Sequence, residues 1–284
     1  MIGPEALAIT FGIGSVVAWG VGDFSGGFVT RRWSVFTVIF ISQLFGTLLL
    51  AILTAVAGPP FPEFRRIVLS CLAGISGAMG LITLYKALAL GKMGVVAPVA
   101  SVVSAALPVF AAFLMEGLPK TTQIIGFGMA AAAVWLISYS REKSNVVFSE
   151  LMLPCAAGLF FGLFFILFDG AVGQERQNLL WPLLWVRLAA FPLLLTLFLV
   201  RREKRMPRGA QLLLILSAGL CDVGGNVFFG LAARVGRLDI AAVVCSLYPA
   251  VTVLMAWLIL KEKLLHQQWL GVLAALAALV LIAA

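Results

Sequence analysis

Few residues in this chain are equipped for chemistry, and the informative ones are charges set in apolar surroundings. Asp222 stands near the centre of an apolar run at roughly 210–233, with Asn226 one helical turn on and on the same face. Arg187 computes to a similar depth in the run at 178–200. Asp23 follows Trp19 in the glycine-rich stretch Gly20 to Gly27. An ionised side chain at the centre of a bilayer costs about 2.5–3.5 kcal/mol even on insertion scales, so such groups are paired or line a polar path. Two roles therefore stand open for Asp222. It walls a solute cavity, with proton coupling as an added task, or it forms a structural ion pair with Arg187.

Around these charges lie residues suited to binding rather than bond-breaking. Pro98 and Pro108 in one run, and Pro249 in another, free backbone carbonyls and are expected as helix breaks beside a cavity. Ser101, Ser104, Ser246, Tyr248 and Thr252 add polar atoms near those prolines. Trp19, Tyr85, Phe161, Phe165 and Trp185 offer aromatic faces that suit a cationic or aromatic solute. The expected substrate site is Trp19, Asp23, Tyr85, Ser101, Phe165, Trp185, Asp222, Asn226, Ser246 and Tyr248. Lys86 reads as a snorkelling cation, Trp181 as an interfacial anchor, and Asp169 and Glu116 as span-end groups. Cys71, Cys155, Cys221 and Cys245 are scattered singly, and His266 is the only histidine. No metal, cofactor or enzyme chemistry is expected from that inventory, and no GxxxxGK[ST] phosphate loop is present.

Composition says what must position these groups. The hydrophobic fraction is 62% and the charged fraction 11%, against roughly 45–50% and 25% in soluble domains. A helix needs about 20 apolar residues to span hydrocarbon. Runs of that order fall at roughly 7–29, 34–57, 67–90, 94–116, 122–139, 149–170, 178–200, 210–233, 239–260 and 267–284. Short connections such as Gly58-Pro59-Pro60 leave no room between them for a soluble catalytic or ATP-binding domain. Residues Met1 to Glu5 hold no Lys or Arg, so the first run reads as a span rather than a cleaved signal. The formal charge of +8 falls mostly between the runs, where anionic lipid rather than nucleic acid explains it.

The chain also repeats itself. A shift of 145 residues lays Ala87–Ala133 over Ala232–Ala278, matching Gly91 with Gly236, Lys92 with Arg237, Ser101 with Ser246, and Gln123 with Gln268. Trp19-Gly20 falls on Phe161-Gly162 at a slightly shorter offset, and Gln43 on Arg187. The expected fold is all-α, a polytopic membrane protein of ten transmembrane helices. It divides into a first five-helix repeat at 1–145 and a second at 146–284. An odd number of spans per repeat inverts the second copy, an arrangement that many secondary transporters use for alternating access.

Trp19-Gly20, Arg187-Leu-Ala-Ala, Tyr85-Lys-Ala-Leu-Ala-Leu-Gly, Ser246-Leu-Tyr-Pro, Leu260-Lys-Glu-Lys-Leu and Gly271 together resemble the EamA-type transporters. These are the ten-helix branch of the drug/metabolite transporter superfamily. The resemblance covers essentially the whole chain, with Gln43 in place of an arginine common in the second span and Asp23 after the Trp-Gly pair. It implies a central cavity and export or exchange of small metabolites such as amino acids, across a cell or inner membrane. A carrier for organic cations such as quaternary amines is the alternative; a channel or a membrane-embedded lipid enzyme is more remote. Both termini share one side. Lys and Arg number six on that side and twelve on the other, which favours termini outside the cytoplasm, whereas the resemblance implies termini inside. Solute, energy source and oligomeric state are not legible.

Overall fold

Apolar runs of this length leave each backbone amide only its own segment for hydrogen bonding, and that dictates helices. The computed structural model describes residues 4–58, 60–116, 121–138, 146–172, 179–201, 206–235 and 247–283. The described residues are all-helical and form ten helices. They are α1 (Pro4–Thr30), α2 (Val35–Ala57), α3 (Phe64–Leu90), α4 (Met93–Glu116) and α5 (Thr121–Ser138). Then come α6 (Val146–Val172), α7 (Leu180–Arg201), α8 (Ala210–Val235), α9 (Tyr248–Ile259) and α10 (His266–Ala283). Among the described residues, α1, α2, α3, α6, α7 and α8 are each long and apolar enough to cross a bilayer. Shorter apolar stretches lie in α4, α9 and α10. The expected span at 239–260 is described only from Leu247 onward.

Local chemistry ends these helices where the sequence changes. Gly58 closes α2 at φ +56, its amide donating to the Thr54 carbonyl at 3.1 Å, and Pro60 soon follows. The prolines behave differently from expectation. α4 runs unbroken through Pro98 and Pro108, packed on α6 and α10, and such neighbours make prolines tolerable inside a membrane helix. Pro249 is the second residue of α9, in the first turn, where a missing amide costs nothing.

Packing follows a reciprocal scheme. α1 lies along α8, and α3 along α6; α2 packs on α7, and α5 on α10. Exchanging the first five helices for the last five maps these four pairings onto one another. Glycines mark the close approaches. Gly74 of α3 lies against the Val186 carbonyl of α7, and Gly219 of α8 against the Ser42 carbonyl of α2. Gly20 of α1 meets Val251 and the Tyr248 carbonyl of α9, while Gly162 of α6 meets Leu107 and the Ser104 carbonyl of α4. At each of these positions a Cβ would collide with its neighbour, so small residues set the helix spacing. Ser15 Oγ donates to the Gly225 carbonyl at 2.9 Å, and Ser76 Oγ to the Phe160 carbonyl at 2.8 Å, across the α1–α8 and α3–α6 seams. Large side chains turned outward, such as Val56 and Phe64, are what a lipid-facing surface requires.

One end of the bundle is tied by Glu262, in the α9–α10 connection. Lys261 takes φ +54, a left-handed conformation that costs a β-carbon-bearing residue about 1 kcal/mol. That turn carries the Glu262 carboxylate onto the start of α4. It accepts from Met93 N at 3.3 Å, Gly94 N at 3.2 Å and Arg31 Nη2 at 2.6 Å. Arg31 also donates to the Gly91 carbonyl at 3.4 Å, and Lys92 Nζ to the Lys263 carbonyl at 3.2 Å. An acidic group on unpaired first-turn amides is favourable through both hydrogen bonding and the helix dipole. Glu262→Gln keeps the shape but loses the charge, at a cost of about 1 kcal/mol. A thermal melt in detergent should show a midpoint a few degrees lower; an unchanged midpoint would mean that the tie contributes nothing.

Candidate functional site

Where α1, α2, α3, α6, α7, α8 and α9 converge, they leave a cavity of about 900 Å3, counted out to its open mouth. Its wall carries Arg187, Asp222 and Asp23, charges set within apolar helices. Arg187 Nη2 donates to Asp222 Oδ2 at 2.5 Å, and the side chains are 6% and 27% exposed respectively. Gln43 Nε2 donates to the same oxygen at 3.2 Å. Asn226 Nδ2 donates to the Asp222 carbonyl at 2.6 Å and approaches Oδ1 at 3.4 Å. Four polar side chains from α2, α7 and α8 thus form one cluster. The glycines make it feasible. Gly46 of α2 has no side chain to displace the guanidinium, which packs against it, and Gly219 lets α2 and α8 close up beside it.

The remaining wall is aromatic and apolar. Trp19 contacts Tyr248 edge-on at 6.0 Å between centroids and lies 6.0 Å from Phe229. Phe161, Phe164 and Phe165 of α6 line the facing side, with Phe164 stacked on Phe168 at 5.4 Å. Asp23 also lines the cavity, and among the described residues nothing hydrogen-bonds its carboxylate. Tyr248 Oη accepts from Ser101 Oγ at 2.8 Å, and Thr252 Oγ1 donates to the Gly20 carbonyl at 3.1 Å, pinning α9 to α4 and α1.

Of the expected site residues, Trp19, Asp23, Phe165, Asp222, Asn226 and Tyr248 share this wall, as does Arg187. Ser101 lies behind Tyr248 and reaches the cavity only through it. Tyr85 packs into the core with Phe24, Leu84 and Leu88, its ring laid against Gly26 and only 4% exposed. Trp185 turns toward Phe61 at 6.4 Å, and its Nε1 is buried without a hydrogen-bond partner. Ser246 lies outside the described residues. The wall also includes Gln43, Phe164 and the small residues Gly74 and Gly77, which sequence reasoning left out of the site. Gln43 carried a visible signal, being a long polar side chain within the apolar α2. Among the described residues, no group of three or more His, Cys, Asp and Glu side chains is placed to hold a metal.

The fold and this wall define a class: an all-helical, multi-pass membrane protein with a polar cluster in a cavity between two sets of helices. The family profile described as "EamA-like transporter family" matches residues 6–139 and again 148–284. The chain belongs to the EamA-like transporter family, whose members are generally transporters of the drug/metabolite superfamily. No curated protein matches it in sequence. A protein of known crystal structure, described only as "Crystal structure of protein", is 14% identical, aligns over 97% of this chain and 96% of its own, and superposes with a TM-score of 0.67. At that identity the likeness speaks for the fold.

Removing one charge of the pair strands the other in a low-dielectric wall, which costs about 3 kcal/mol or more. Arg187→Gln and Asp222→Asn should each lower the unfolding midpoint in detergent, and the double variant should recover most of the loss. Additive losses in the double variant would contradict a direct pair.

Proposed function

We propose that the protein is a secondary carrier that moves small polar metabolites across a cell or inner membrane without ATP, by alternating access around this cavity. All ten helices then cross the bilayer, and residues 1–145 and 146–284 form two halves inserted in opposite senses. The reciprocal neighbours of α1–α8 and α3–α6, and the matched glycine contacts, support such an inverted repeat. Halves built alike can exchange conformations, so that one cavity faces each side in turn. The observation that carries this reading is the hydrogen-bonded cluster of Gln43, Arg187, Asp222 and Asn226 inside the cavity. A carrier must offer a hydrated solute replacement hydrogen bonds within hydrocarbon, and this cluster offers them. Amino acids and organic cations are the two solute classes that such a lining suits.

Purified protein in sealed vesicles should catalyse counterflow of a labelled amino acid or amine, with the solute chosen by thermal-shift screening and no nucleotide present. The Arg187→Gln/Asp222→Asn double variant keeps a neutral, hydrogen-bonding wall and should transport at least about tenfold more slowly, the loss of about 1.4 kcal/mol of charge-assisted contact. Wild-type rates in a folded double variant would remove the pair from the mechanism.

A further inference from the structure

The charges in the cavity are not presented evenly. Arg187 is 6% exposed and packs against Gly46, with Asp222 in front of it at 27%. Both line the wall, and a solute entering the cavity meets more of the carboxylate of that pair than of the guanidinium. The second ionisable group on the wall, Asp23, is also a carboxylate. Among the described residues, Arg187 is the only cation on the wall it shares. α8 contributes Asp222 and Cys221, α3 contributes Tyr85 behind Gly26, and α9 contributes Tyr248. The lining segment of α6 offers phenylalanines, and α2 offers the uncharged Gln43. Lys86, the nearest basic residue along α3, is turned to the outside.

Aromatic faces adjoin this acidic side. Trp19 is one turn before Asp23 on α1, and Tyr248 meets Trp19 edge-on, so two rings share the cavity wall with the carboxylate. Across the cavity Phe161, Phe164 and Phe165 present an apolar wall with no polar atom. Electron-rich ring faces and an unshared carboxylate attract a positive nitrogen, and the apolar wall suits a carbon body. A solute carboxylate would instead face Asp222 and Asp23, with Arg187 recessed behind its own partner.

Resting on the carrier reading above, we propose that the solute is a monovalent organic amine or quaternary ammonium compound with an aromatic or bulky apolar body and no carboxylate. Its nitrogen sits between Asp23, Trp19 and Tyr248, and its body lies against the α6 phenylalanines. Asp23 is then the residue that sets specificity, while Asp222 organises the wall through Arg187.

Matched pairs of probes test the assignment on the full-length protein in detergent, by calorimetry, and in vesicles, by counterflow. Phenethylamine should bind at least about tenfold more tightly than phenylalanine, and phenyltrimethylammonium than its neutral isostere tert-butylbenzene. Asp23→Asn should abolish these preferences with an unchanged unfolding midpoint, and Asp23→Glu should retain them. Trp19→Phe should keep the preference and Trp19→Leu weaken it, which separates ring chemistry from packing. Equal or tighter binding of phenylalanine, with counterflow, overturns the proposal and leaves the carrier reading intact. Loss of counterflow for every amine and amino acid tested overturns both. Cation preference that survives in folded Asp23→Asn also overturns the proposal, by placing the recognition elsewhere.

Discussion

Compensation of charge within hydrocarbon is the constraint on which this structure depends. Arg187 and Asp222 lie in the middle stretches of two apolar helices, and neither is tolerable there alone. Their contact fixes the rotation of α7 against α8. The hydrogen bond from Gln43 brings α2 into the same arrangement. Asn226 completes it, donating to the backbone carbonyl of Asp222 and reaching the Oδ1 of its carboxylate at 3.4 Å. Once that cluster is set, the helices around it cannot close to an apolar centre, and the cavity is the consequence.

Glycine placement allows the surrounding helices to serve that cluster from both sides. The Gly74–Val186 and Gly219–Ser42 contacts bring α3 to α7 and α8 to α2, flanking the ion pair with close-packed seams. Without lateral hydrophobic driving force in lipid, such van der Waals contact and interhelical hydrogen bonding supply the association. The end tied by Glu262 adds a different kind of restraint. It joins the α9–α10 connection to the start of α4 and to the end of α1, through polar contacts that lie outside the apolar core. Interior packing is thus set by small residues, and one end by a charge on a helix terminus.

Much of this was legible in the chain. Run length dictated helices, and the depth of Asp222 and Arg187 pointed to each other because each needed a partner. The internal shift also anticipates the packing: Gly74 and Gly219 stand 145 residues apart, the offset that aligns the later spans. Other features depended on tertiary choices that a single sequence does not encode locally. Tyr85 reads as an aromatic free to line a cavity, yet the missing Cβ of Gly26 admits its ring to the core. Trp185 sits two positions before Arg187, and on a helix that offset turns it to another face, toward Phe61. Glu262 entered only as part of the Leu260-Lys-Glu-Lys-Leu motif, because nothing local in the sequence shows that its partners are amides of a distant helix. Pro98 and Pro108 looked like breaks because each removes a backbone donor and frees a carbonyl, yet α4 continues through both.

On the proposed carrier reading, the cavity around the Arg187–Asp222 cluster opens to each side of the membrane in turn. Asn226→Cys, in a chain whose native cysteines are replaced, places a reporter thiol on that wall. Labelling in sealed vesicles with a membrane-impermeant thiol reagent, applied from inside or from outside, measures its access directly. The account predicts reaction from both sides, slowed by transported solute. Reaction from neither side, or only with a lipid-soluble reagent, would contradict it.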